Sequence, residues 1–95
     1  MIEVRIRPER IKISGHAGYA EVGKDIVCAA VTALTQTLIQ SIENLTDDEI
    51  EYRISPGKAE IEYRNLSEKS KTLVDSFFVG IRLIADEFPD YVAIM

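Results

Sequence analysis

Twice along this chain, two short apolar runs that alternate every second residue give way to a longer run whose apolar residues recur every three or four. Ile2, Val4 and Ile6 alternate with charged residues, and after Pro8-Glu9-Arg10 the alternation resumes at Ile11 and Ile13. A period of two puts every apolar side chain of a strand on one face, so these runs read as a hairpin with one buried side. From about Lys24 to Asn44 the period lengthens: Ile26, Val27, Ala30, Val31, Leu34, Leu38, Ile42 and Leu45 predict an amphipathic and heavily buried helix. The cycle repeats with Ile50, Tyr52, Ile54 and Ala59, Ile61, Tyr63 on either side of Ser55-Pro56-Gly57-Lys58, whose Pro-Gly pair signals a turn. Ser67 is a good N-cap for a second helix that runs to about Glu87, with Leu73, Val74, Phe77, Phe78, Ile81, Ile84 and Phe88 as its stripe and Pro89 as its stop. Tyr91 to Ile94 predicts a short final strand at a sheet edge. Two one-sided hairpins, each followed by a helix, bury their apolar faces most simply as a two-layer α/β sandwich of order ββαββαβ with a mostly antiparallel sheet.

With 95 residues, the chain is expected to form one domain over positions 1–95. So small a core buries a modest share of its surface, and the apolar segment Tyr91-Val92-Ala93-Ile94-Met95 makes a poor free edge. A homodimer is the expectation. The formal net charge is −5, and Arg5, Arg7, Arg10 and Lys12 alternate with apolar residues instead of forming a block. That argues against nucleic acid, whose phosphates demand concentrated positive charge, and favours a basic protein or peptide. Cys28 is the single cysteine, so no internal disulfide, multi-cysteine zinc site or cofactor is expected, and a reducing cytoplasm suits the lone thiol. The first residues lack the apolar core of a signal peptide, and no stretch reads as membrane-spanning.

Chemistry concentrates between the first hairpin and the first helix. Gly15-His16-Ala17 ends the second strand, the segment to Gly23 has no sustained period, and Gly23-Lys24-Asp25-Ile26-Val27-Cys28 opens the helix. The loop is expected to be mobile and functional. Placed in the second helical turn, Cys28 would feel the positive end of the helix dipole, which suits a thiolate nucleophile, and its N–H groups would suit an oxyanion. Asp25, Cys28 and Thr32 stand at i, i+3 and i+7, within about 60° of one another on a helix. Asp25 would either orient His16 or cap the helix; the Thr32 hydroxyl would either approach the sulfur or return to the backbone. The competing reading of Cys28 is a small buried hydrophobe among alanines.

The segment Gly15-His16-Ala17, followed twelve residues after the histidine by Cys28 within Gly-x-Asp-Ile-Val-Cys-Ala-Ala-x-Thr-Ala, resembles the signature of the Prp family of ribosomal-protein-processing cysteine proteases. The resemblance implies a homodimeric α/β endopeptidase that removes a short N-terminal extension from large-subunit ribosomal protein twenty-seven, cutting after an aromatic residue. It places the nucleophile on Cys28, the general base on His16, the motif aspartate on Asp25 and the motif glycine on Gly15. Where some relatives have serine, this chain has Thr32. The loop around Tyr19 and Val22 would then clamp the peptide substrate. The alternative is a non-enzymatic ribosome-assembly or protein-binding module; a redox sensor or a metal hydrolase would need sulfur or ligand partners that a single cysteine and a single histidine do not supply.

Overall fold

The computed structural model describes all 95 residues. It contains β1 (Ile2–Arg7), β2 (Arg10–Ser14), α1 (Ile26–Leu45), β3 (Ile50–Ser55), β4 (Lys58–Tyr63), α2 (Glu68–Glu87) and β5 (Val92–Ile94). The order ββαββαβ and the two-layer arrangement follow the sequence expectation.

The five strands form one sheet in the order β3-β4-β2-β1-β5. Each pairing is antiparallel except β1 with β5, which is parallel. A parallel return needs a crossover too long for a tight turn, and α2 is that crossover. Registers of Val4 with Ile13, Ile13 with Ala59 and Ile11 with Ile61 align the apolar positions on one face. A slip of one residue would turn that whole set toward solvent, so the burial pattern locks the pairing. Ile11 and Ile61 of the sheet, Ile39 and Ile42 of α1, and Ile81 of α2 meet in this core and are fully buried.

The other face of the sheet carries the charges. Lys12 stands opposite Glu60, Arg10 opposite Glu62, and Arg53 opposite Glu60. The basic residues are thus interleaved with acids, and no positive stripe results.

Four details depart from the sequence reading. α1 begins two residues later than Lys24, because the Asp25 carboxylate accepts the Val27 and Cys28 N–H groups and so caps the helix. Cys28 therefore lies in the first turn, not the second. Burial of α1 is also one-sided: Val27, Val31, Leu38, Ile39 and Ile42 face the core while Ile26 and Leu45 are exposed. Finally, α1 spans 20 residues with a mean hydropathy of 1.3, long and apolar enough to cross a membrane. No charge interrupts it before Glu43, and the core face it lays on the sheet accounts for Val27, Val31, Leu38, Ile39 and Ile42.

The helices run antiparallel, so the end of α1 meets the start of α2. There Asp48 accepts hydrogen bonds from the Ser67 N–H at 2.9 Å and the Ser67 hydroxyl at 2.7 Å, while Ser70 donates to Thr46 at 3.2 Å. Ser67 in turn caps α2, as its position before the apolar stripe implied.

Candidate active site

The site begins where β2 ends. Gly15 adopts φ +96°, a left-handed angle that favours glycine, and a Cβ there would overlap the Met1 carbonyl oxygen. Its N–H donates to the Gly57 carbonyl in the β3–β4 turn at 2.9 Å. His16 follows, exposed, with its ring lying over Gly57. Ala17 is buried, and its N–H donates to the Cys28 sulfur at 3.3 Å. Neighbouring residues of one short segment thus anchor to the sheet, carry the imidazole and touch the thiol.

Asp25 joins the loop to the helix. One carboxylate oxygen accepts from Val27 N–H at 3.0 Å and Cys28 N–H at 2.9 Å; the other accepts from Tyr19 N–H at 3.0 Å and Ala20 N–H at 3.4 Å. Of the two roles open to Asp25 from its spacing, the structure shows the cap, with loop anchoring added. The Cys28 N–H bond is the main reason the Asp25 carboxyl sits below its ordinary value of 3.8, helped by the loop N–H groups and opposed by partial desolvation. Hydrogen bonds from Ser67 lower Asp48 in the same direction. A carboxyl lowered by folding contributes stability above its unfolded value and loses it as pH falls through the folded value. The wild type is therefore expected to lose thermal stability below about pH 4. Asp25→Asn should show a lower melting temperature at neutral pH and a shallower acid decline, measured by circular dichroism; an unchanged acid slope would contradict the assignment.

His16 and Cys28 line one cavity of about 120 Å³, together with Thr32, Gln36, Ile54 and Ser55. This is smaller than the ~300–1,000 Å³ of most small-molecule sites, and it suits one side chain or one peptide unit of a longer ligand. Thr32 is exposed at the cavity wall; the hydroxyl that returns to the helix backbone is that of buried Thr35, 2.8 Å from the Val31 carbonyl. A broader concavity of about 1170 Å³ lies between the β1–β2 turn and the start of β3, but its wall is mostly charged and holds neither His16 nor Cys28. No three His, Cys, Asp or Glu side chains group as metal ligands.

Tyr19 and Val22 stand apart from the cavity. The Tyr19 ring meets Phe88 edge-on at 5.5 Å and Tyr91 at 5.2 Å, and Val22 is fully exposed. The loop that looked unpatterned in sequence is held by the Asp25 carboxylate and by this aromatic contact. Gln36, Ile54, Ser55 and Gly57 join the site without having been singled out in sequence. The Pro56-Gly57 pair announced a turn, but nothing local revealed that the turn would land on His16.

The sequence model of the cysteine protease Prp matches residues 1–93. A ribosomal processing cysteine protease Prp from Mycoplasma genitalium is 27% identical over 96 residues, covering 99% of this chain and 94% of the relative. In fold, the chain is similar to the Staphylococcus aureus ribosomal processing protease Prp solved with a covalently linked product peptide, with a TM-score of 0.89, 19% identity and coverage of 98% and 94%. It is also similar to SMU.848 from Streptococcus mutans, with a TM-score of 0.79, 30% identity and coverage of 98% and 89%. A match over nearly the whole sequence, on a fold that brings the single cysteine and the single histidine to one cavity, places this chain in the Prp family of ribosomal processing cysteine proteases.

Proposed function

We propose that this protease removes the N-terminal extension of large-subunit ribosomal protein twenty-seven, with Cys28 as nucleophile and His16 as general base. One observation carries the assignment of roles: a cysteine protease needs a thiol, this chain has one cysteine, and that cysteine shares its cavity with the only histidine. His16 takes the thiol proton as the sulfur attacks the scissile carbonyl carbon. The C–N bond then breaks, the imidazolium gives its proton to the leaving amine, and a thioester remains. Water adds to the thioester as His16 accepts a proton, and the collapse releases the carboxylic acid and restores the thiol.

At the start of the helix the Val27 and Cys28 N–H groups donate to Asp25 and would have to leave it to serve an oxyanion. Ala17 N–H, which donates to the sulfur in the free enzyme, is a further donor within reach of an oxyanion formed there. Asp25 acts by holding the Cys28 turn and the Tyr19–Ala20 backbone in one frame, Gly15 sets the chain path into His16, and Thr32 borders the bound peptide. Closing the loop over the substrate would bring Tyr19 and Val22 onto it, and the full exposure of Val22 leaves that side chain free to engage. The site of action in this reading is the cytoplasm, where ribosomes assemble, with no direct nucleic-acid or membrane partner. The S. aureus relative was also solved with a substrate peptide, which supports a peptide ligand for the shared fold.

The test is incubation of the purified protein with a ribosomal protein bearing such an extension, followed by intact-mass analysis. A single cut that frees the mature N-terminus is expected; an uncut substrate after complete exposure to active, reduced enzyme would refute this substrate.

A homodimer belongs to the same reading. Ile94 and Met95 remain exposed at the β5 edge, and Val79 and Leu83 form an exposed apolar pair one turn apart on α2. Light scattering at micromolar concentration should give twice the chain mass of 10.7 kDa; a monomer mass would rule the dimer out.

A further inference from the structure

We infer that Gly57 is a positioning residue for His16, and that the β3–β4 turn, by lacking a side chain at this point, determines where the imidazole stands relative to Cys28. The inference rests on the reading of His16 as the general base. Two contacts to the same residue support it. The N–H of Gly15, immediately before His16, donates to the Gly57 carbonyl at 2.9 Å. The ring itself lies so close over Gly57 that an added Cβ would stand 2.7 Å from Nε2, 3.2 Å from Cε1 and 3.4 Å from Cδ2. Both the backbone that enters His16 and the outer edge of its ring are thereby referenced to one turn residue.

The physical need for such a reference is plain. His16 is exposed, and an exposed side chain otherwise samples several rotamers, which spends catalytic time in unproductive positions. Gly57 narrows that choice from one side while the Cys28 helix bounds the cavity from the other. Its φ of +72° serves the turn, but the turn alone does not require an empty Cβ position, since asparagine also tolerates left-handed angles. What asparagine cannot do is leave the ring in place. The collision is with the mobile tip of a side chain, not with backbone, so the imidazole yields and the fold persists.

Gly57→Ala and Gly57→Asn separate these effects, because both add the Cβ and only alanine adds appreciable backbone strain. With rates normalised to alkylatable Cys28, the Asn variant is expected to lower kcat about 100-fold with KM little changed, the cost of displacing a catalytic group by roughly 1 Å. The chain has a single histidine, so its ring carbon–proton NMR signal reports on His16 alone, and that signal should move in both variants at an unchanged pH. A folded Asn variant with wild-type kcat, or with lowered kcat and an unmoved ring signal, would overturn the inference. So would loss of fold in both variants, which would assign Gly57 to the hairpin alone. Should the wild type cleave no extension-bearing substrate, the ring signal still decides whether Gly57 places His16, and the two failures remain distinct.

Discussion

Cys28→Ala is expected to lower processing of an extension-bearing substrate by at least about 10,000-fold, the scale seen when a covalent nucleophile is removed. No second thiol exists to replace it. The fold should survive, because Cys28 is half-buried and its sulfur accepts one hydrogen bond, from Ala17 N–H. Leaving that donor unsatisfied costs about 1–3 kcal/mol if water cannot reach it, a shift of roughly 5–20 °C in melting temperature for a domain of this size. Cys28→Ser keeps an oxygen acceptor for the same N–H and should recover most of that stability with no recovery of activity. Intact-mass kinetics alongside thermal melts distinguish the two losses, and wild-type cleavage by either protease-free preparation would remove Cys28 from the mechanism.

His16→Asn carries the second large effect: a loss of about 1,000-fold or more in kcat/KM, since the variant cannot shuttle a proton and the chain offers no other histidine to take over. His16 is exposed and packs mainly against the Gly57 turn, so the melting temperature should stay close to that of the wild type. Substrate affinity, measured with an uncleavable peptide, should also be largely preserved, because the rest of the cavity wall is unchanged and binding needs no proton transfer. A variant that cleaves at the wild-type rate would eliminate His16 as the base. One that no longer binds peptide would reassign it to recognition.

The element order and most of its boundaries were legible because they depend on local period. Val4, Ile11, Ile13 and Ile61 bury one strand face, and Val74, Phe77 and Ile81 bury one helix stripe, as their spacing implied. Caps are local too, and Ser67 behaved as its position predicted. The start of α1 was misplaced by two residues because Lys24 and Asp25 both precede apolar periodicity, and only the backbone shows which residue caps. Its amphipathic period was read correctly but the extent of burial was not, since α1 buries one face while Ile26 and Leu45 stay exposed.

At the site, sequence proximity determined that His16 and Cys28 would be near each other, since a strand end, a short loop and a helix start leave little room for separation. The local pattern also kept Asp25 three residues from Cys28, within reach of its N–H, but the structure decided that Asp25 caps the helix. Tertiary structure alone decided what surrounds the pair. Pairing β4 with β2 carries the β3–β4 turn across the sheet, so that Gly57 meets Gly15 and His16, while Ile54 and Ser55 complete the cavity. It also turned Tyr19 toward Phe88 and Tyr91, at the far end of the chain. Strand pairing is chosen by burial summed over the whole sheet, a nonlocal quantity, and no single segment contains enough of that sum to reveal which turn will land on which loop.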